Sequence, residues 1–299
     1  MISVSTRRIH IISIVKDDNS GLGRTLNSIA AQQFSSAQVS ILVIDGSTSE
    51  TVTEVTELFS SLDISLVHKK PQGIYNAMNK GLEELALTCP EEECAIVFLN
   101  AGDFFIDTFA IQKFYVATEV NSFVVSNAAM LDPLRIPSVV FPEVIFGTGK
   151  NFMHPIIFWL PHQGIAAKFS FYKKVGLFSE DFKIAGDYDW IYRAVKQSGP
   201  PFLINDPLVV QVIDGISNRK SFSGYRERLK LAKLYGLDAL KLPNYLVLKM
   251  FFKESFPSII LSIYLQLHQK IRSHKVSINL YSHEDECQCP SCLFLVYSI

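Results

Sequence analysis

The chain has 299 residues, 48% of them hydrophobic and 19% charged, with 28 basic residues against 29 acidic ones. That apolar content excludes a disordered chain and suffices for one large core, or a core with a small appendage. The balanced charge removes the electrostatic basis for binding nucleic acid, which rests on neutralising phosphates.

Ile9 to Val15 is an almost unbroken apolar run, the pattern of a strand buried on both faces in a parallel sheet. Asn19 or Ser20 can cap a following helix, in which Leu22, Leu26, Ile29 and Gln33 recur at helical spacing. Val39 to Ile44 predicts a second buried strand, Thr51 to Leu62 a helix, and Ile64 to His68 a third strand. Ile74 to Leu87 predicts a helix with Ala77, Met78, Gly81, Leu82 and Leu85 on one side, and Cys94 to Leu99 a fourth buried strand. Alternating strands and helices imply right-handed crossovers and a mostly parallel α/β sheet. The second half is less regular. Val139 to Pro161 reads as loops. A helix begins near Asp187, with Trp190, Ile191, Ala194 and Val195 as its packing face. Phe202 to Val212 reads as a strand and Phe222 to Tyr235 as a basic amphipathic helix.

In open sheets of this kind, ligands bind beyond the carboxyl ends of the strands. The residues there are Lys16, Asp17 and Asp18 after the first strand, Asp45, Gly46 and Ser47 after the second, and Asn100, Ala101, Gly102 and Asp103 after the fourth. Acidic groups gathered at one edge repel one another unless a cation or a donor-rich ligand lies between them.

Several segments, in order, resemble the family 2 glycosyltransferases, and within them the subgroup that assembles bacterial surface polysaccharides of the capsule, O-antigen and colanic-acid type. They are ISIVKDDNSGLGRTLNSIAAQ at 12 to 32, ILVIDGSTSET at 41 to 51, KPQGIYNAMNKGL at 70 to 82, VFLNAGDFF at 97 to 105, HQGIAAKFSFYKKVGLFSEDFKIAGDYDWIYRA at 162 to 194, and DGIS at 214 to 217. The match covers roughly residues 9 to 220, and GIYNAMNKG with LNAGD carries most of its specificity.

The resemblance implies a GT-A fold: a Rossmann-like nucleotide half over about 1–105 and an acceptor half over about 106–220. A helical extension over 221–275 and a tail over 276–299 would follow. It matches Asp45 to the strand-end Asp that contacts the nucleotide base, Asp103 to the metal ligand, and GDYDW to the motif of the catalytic base. In that motif Asp187 is the first candidate and Asp189 the second. The family's HQ pair, near donor sugar or acceptor, matches His162 and Gln163.

The chemistry asks for these residue types. A departing nucleoside diphosphate gathers charge, which Mg2+ or Mn2+ on hard oxygen ligands offsets as a Lewis acid. The attacking alcohol needs a base on the face opposite the diphosphate, and such an attack inverts the anomeric carbon. Gly102 lets backbone approach a diphosphate. Gly73 permits a turn into a helix whose N-terminus favours anionic or polar groups, with Tyr75, Asn76 and Asn79 lining that site. Val15, Lys16 and Asp18 complete the expected nucleotide-sugar contacts. The bland alternatives are a strand-to-turn exit for LNAGD with Asp103 capping a helix, a helix cap for Asp187, and an Asp-Gly turn for Asp45. Two departures stand out: Asn100 occupies the first acidic position of the metal motif, and the loop after Asp45 is one residue short, with Ser49 and Glu50 where the family has an Asp.

The expected function is inverting transfer of a sugar from a UDP- or GDP-sugar to a growing glycan or polyprenyl-linked acceptor, at the cytoplasmic face of a membrane. The alternatives are a decayed transferase kept as a membrane-peripheral assembly partner, or a nucleotidyltransferase. The latter normally opens with a glycine-rich basic phosphate loop, which Lys16 to Gly23 lacks. The stretch from Leu242 to Arg272 mixes aromatics and aliphatics with lysines, as in a helix lying in a membrane interface. Its longest uncharged run, Ser255 to Leu267, falls short of the roughly 20 residues a spanning helix needs. Five cysteines and no apolar leader in the first ten residues fit a reducing setting. His283, Cys287, Cys289 and Cys292 are spaced too tightly for the usual two-plus-two zinc site.

Overall fold

The computed structural model describes residues 8–34, 39–48, 51–70, 72–88, 94–131, 138–140, 162–212 and 221–236. The readings made above for the DGIS segment, the interfacial helix over 242–272, the cysteine-rich tail and Ser49–Glu50 lie outside these residues.

The elements run β1 (Ile9–Val15), α1 (Asn19–Ala30), β2 (Val39–Asp45), α2 (Thr51–Glu57), β3 (Ile64–His68), α3 (Ile74–Thr88), β4 (Ala95–Phe98), β5 (Phe104–Phe105), α4 (Ala110–Val120), β6 (Phe123–Leu131) and β7 (Ser138–Val140). A single 3-10 turn, His162–Gly164, leads into β8 (Ile165–Lys168), α5 (Phe169–Val175), α6 (Gly186–Ser198), β9 (Phe202–Val212) and α7 (Ser221–Leu234). The strands form one mixed sheet in the order β3-β2-β1-β4-β8-β6-β9-β5, with β7 on β6. β1, β2, β3 and β4 pair in parallel. β8 lies antiparallel between β4 and β6, while β6 and β9 run parallel.

The unbroken apolar runs follow from burial of both sheet faces. Ile12 of β1, Leu42 and Ile44 of β2, and Ile96 and Phe98 of β4 pack with α3, α5 and α6. Their alternates Ile9, Ile11, Ile41, Val43, Ala95 and Val97 pack with α1 and α4. Apart from Ala95, each such side chain contributes about 1.5–3 kcal/mol by leaving water. α6 is anchored by Trp190, which is 1% exposed, stacks on Tyr172 and Phe178, and donates from Nε1 to Gly176 O at 2.9 Å.

Several boundaries differ from the sequence expectation. Asp18, not Asn19 or Ser20, caps α1: its Oδ1 accepts from Gly21 N at 2.8 Å. α2 stops at Glu57 because the chain tightens there into i−3 bonds, Phe59 N to Thr56 O and Leu62 N to Phe59 O. Among the described residues the second half is more regular than expected, while 141–161 of the stretch read as loops lies outside them. α4, β6, β8 and α5 had no prediction, and β7 falls at the start of a stretch expected to be loops. Asp103 caps no helix; a short strand, β5, follows it.

His10, buried in β1, sets an acid limit on stability. Its Nε2 has no hydrogen-bond partner, and burial, reinforced by Arg8, lowers its pKa from 6.5 to about 4. The unfolded chain protonates this ring near 6.5, whereas the fold resists until about 4. The stability it contributes is therefore complete above 6.5 and is lost as pH falls through that window. At about 1.4 kcal/mol per pH unit the loss is on the order of 3 kcal/mol. His10→Leu is expected to flatten the urea midpoint between these pH values. A variant midpoint that falls as steeply as the wild type's refutes the assignment.

Candidate active site

Two groups of the expected residues come together at the carboxyl ends of the parallel strands. The first is built on the β1 and β2 exits. Gly46 N donates to Val15 O at 2.9 Å, closing the two strand ends. Asp45 is 2% exposed; its Oδ1 accepts from Ser47 N at 2.8 Å and its Oδ2 lies 2.9 Å from His68 Nδ1. Asp17 sits at φ +53 and accepts from the N–H and hydroxyl of Thr48, and the N–H bond is the main cause that lowers its pKa. The side chain of Lys16 stands exposed beside this loop. Gly73, at φ +113, makes the turn into α3.

The second group is built on the β4 exit. Thr25 of α1 fastens the Asn100–Asp103 turn: its hydroxyl lies 2.7 Å from Asp103 O and accepts from Gly102 N at 3.1 Å. Gly102 has φ +99, a region that side chains rarely adopt. A Cβ there would lie 3.8 Å from Asp18 Oδ2 and 4.0 Å from Arg24 Nη2, which places both groups beside this turn. The Asp103 carboxylate is buried. Its Oδ2 accepts from Gln163 Nε2 at 2.7 Å and its Oδ1 from Val212 N at 3.1 Å, at the end of β9. Burial raises its pKa from 3.8 to about 6, against the opposing pull of the Gln163 bond and of the neighbouring His162, Val212 N–H and Arg24.

The 3-10 turn before β8 joins this group to α6. Asn100 Nδ2 lies 3.0 Å from His162 Nε2. With the amide as donor, Nε2 is the acceptor and Nδ1 carries the ring proton. That Nδ1 is 3.6 Å from Asp187 Oδ2. Asp187 lies in the first turn of α6 but is not its cap; Ala185 is, and makes no side-chain cap bond. Tyr75 of α3 reaches the same turn: its hydroxyl oxygen is 2.7 Å from Ile184 O and 3.1 Å from Asp187 Oδ1. Burial first, and the Asp187 charge second, keep that phenol protonated by holding its pKa well above the usual 10. Gly186 is obligatory for this contact, since a Cβ would fall 2.7 Å from the Tyr75 ring.

The other expected residues are tied elsewhere. Asp189 is held by Arg193, at 2.9 Å, and by the Tyr235 hydroxyl. Asn79 is clamped to the backbone of Phe178, donating to its O and accepting from its N–H, both at 2.9 Å. Asn76 donates to Glu180 Oε2 at 2.9 Å. Sequence reasoning passed over Arg24, Thr25 and His68. Strand-end position was a signal for His68. The two α1 residues lie a turn or more inside a helix whose spacing spoke only of packing.

Among the described residues no three His, Cys, Asp or Glu side chains cluster as a metal site. A hard cation nonetheless fits beside Asp103. The carboxylate is buried, and the amide oxygens Asn100 Oδ1 and Gln163 Oε1 are buried without a hydrogen-bond partner. They are hard oxygen donors of the kind that magnesium and manganese take.

No family model matches the chain. It is 25% identical over 219 residues to an uncharacterized glycosyltransferase of Mycobacterium tuberculosis, covering 70% of this chain and 74% of that protein. The chain is homologous to glycosyltransferases. Its fold is also that of solved ones. S. aureus TarS (residues 1–349) in complex with UDP-GlcNAc matches with a TM-score of 0.61 and 15% identity, over 88% of this chain and 77% of that one. A Pyrobaculum calidifontis mannosyltransferase in complex with GDP-Man and Mn2+ matches with a TM-score of 0.56 and 14% identity, over 97% and 78%. The mostly parallel sheet flanked by helices is thus the GT-A-like architecture of these glycosyltransferases.

Proposed function

We propose that the chain is an inverting family 2 glycosyltransferase that takes a sugar from a UDP- or GDP-sugar. The acceptor is a glycan or polyprenyl-linked chain of the surface-polysaccharide type, met at the cytoplasmic face of a membrane. The observation that carries this reading is the His162–Gln163 pair. Gln163 holds Asp103 while the adjacent His162 lies against Asp187, so the two acidic motifs share one site. The nucleotide base and ribose fall to the Asp45 group, and the diphosphate to the Gly102–Asp103 turn with Arg24 beside it. The ligands in the solved neighbours, UDP-GlcNAc and GDP-Man with Mn2+, are of this class.

The acceptor hydroxyl attacks the anomeric carbon, the bond from that carbon to the diphosphate oxygen breaks, and the hydroxyl proton passes to a carboxylate oxygen of Asp187. Tyr75 and His162 hold that carboxylate from two sides. Asp103, with Asn100 Oδ1 and Gln163 Oε1, would hold the cation together with the donor phosphates. A cation bound there supplies Lewis-acid stabilisation of the leaving diphosphate. Asp189, occupied by Arg193 and Tyr235, takes no part in proton transfer.

The test is nucleoside diphosphate release from UDP-GlcNAc, GDP-mannose and related donors with Mn2+, with and without EDTA. Metal-dependent release from at least one donor is expected. Folded protein that neither turns over nor is thermally stabilised by any donor overturns the reading in favour of a decayed transferase. The described residues contain no helix long and apolar enough to cross a membrane.

A further inference from the structure

The sequence places α7 outside the transferase match, as an appendage. The structure puts it against the turn that carries Asp187. Glu227 of α7 lays its carboxylate over three consecutive backbone N–H groups. Lys183 N donates to Oε1 at 3.0 Å and to Oε2 at 3.1 Å, Ile184 N to Oε2 at 2.8 Å, and Ala185 N to Oε2 at 2.9 Å. These N–H groups lead directly into α6, whose own cap, Ala185, has no side chain able to satisfy them. Charge-assisted bonds of this kind are about twice as strong as neutral ones.

The same turn is gripped from the opposite side. The Tyr75 hydroxyl lies 2.7 Å from the carbonyl of Ile184, the residue whose N–H is bound by Glu227. Around this, Leu231 packs on Phe182 and Ala185, the Arg228 guanidinium lies 5.4 Å over the Tyr188 ring, and the Tyr235 hydroxyl reaches Asp189.

We propose that Glu227 is a positioning residue for catalysis: it fixes the 183–185 backbone so that Asp187 meets the acceptor hydroxyl in reach and in register with Tyr75 and His162. This rests on the reading of Asp187 as the base. Glu227 touches neither substrate nor the reacting atoms, and acts only through the turn. Helix α7 is thereby part of the catalytic apparatus, not a separable extension.

The test uses the full chain with Glu227→Gln, which keeps the size but not the charge, and Glu227→Asp, which keeps the charge but shortens the reach. Turnover is read as nucleoside diphosphate release from whichever of UDP-GlcNAc or GDP-mannose the wild type consumes. A misplacement of the base by about an ångström costs up to roughly 100-fold. E227Q is expected to lower kcat by about 10- to 100-fold while leaving donor KM within about twofold of wild type, with E227D falling between. Amide hydrogen exchange at 183–185 should rise in E227Q while β1 and β4 keep their protection.

Turnover by E227Q within about twofold of wild type, despite faster exchange at 183–185, overturns the proposal, because the turn would then be held for stability alone. A fall in kcat with loss of protection throughout β1 and β4 overturns it too. Asp187→Asn separates the two levels. If that variant still turns over, the base assignment itself fails; if it is silent while E227Q is unaffected, only the positioning role fails.

Discussion

Asp187→Asn is expected to lower turnover by roughly 100- to 10,000-fold, the range a general base supplies, with little change in binding of UDP or GDP. The amide keeps the shape of the carboxylate. It can still accept the Tyr75 hydroxyl and present an oxygen or nitrogen to His162, so α6 should dock as before. What it lacks is the capacity to take a proton. The checks are kcat from donor consumption with acceptor, and Kd for UDP or GDP by calorimetry. Turnover within tenfold of wild type would remove Asp187 from the role, and with Asp189 already occupied, no acidic residue of the GDYDW motif would remain for it.

The second large effect falls on Asp103. Asp103→Asn should weaken Mn2+-dependent binding of UDP or GDP by at least about 100-fold, since it deletes the buried carboxylate at the proposed cation site. The fold should tolerate the change. A neutral side chain in this buried place escapes the cost that raises the pKa of Asp103 to about 6. Gln163 can also turn its unpartnered Oε1 to accept from the new amide. Metal-free binding should be nearly the same in both proteins, and calorimetry with and without EDTA reads the difference. Equal Mn2+ dependence in wild type and variant would place the cation elsewhere or dispense with it.

The parallel half of the fold was legible because both faces of its strands are buried. Ile9 to Val15 and Val39 to Ile44 announce themselves as apolar runs, and α1 and α3 as apolar stripes. The strand ends then named Asp45 and Asn100–Asp103 on topology alone. Of the antiparallel half only β9 was legible, as the strand-like run Phe202 to Val212. β8 is four residues long and β5 two, too short to show a period, and β6 draws its regularity from pairing with β8 and β9, which lie far away in sequence.

Within the site, motif order found Asp103, Asp187, His162 and Gln163, but not how they connect. The link depends on a three-residue turn that sets adjacent side chains against two different strand and helix ends. The partner of Asn100 explains its departure from an acidic residue better than loss of function does. An amide at that position can donate to His162 Nε2, which a carboxylate cannot. Glu227 had no sequence signal at all, since a lone Glu on a basic amphipathic helix looks like solvent-facing charge.

The strand order has a consequence for biogenesis. β3, β2, β1 and β4 all come from the first hundred residues and can pair as soon as they emerge from the ribosome. The strand that closes the free edge of β4 is β8, which arrives only after residue 165. Until then β4 offers an unpaired, wholly apolar edge, which is a template for intermolecular pairing. A nascent or truncated chain ending before β8 should therefore aggregate or engage chaperones, and the yield of soluble enzyme should depend on how quickly translation passes that point.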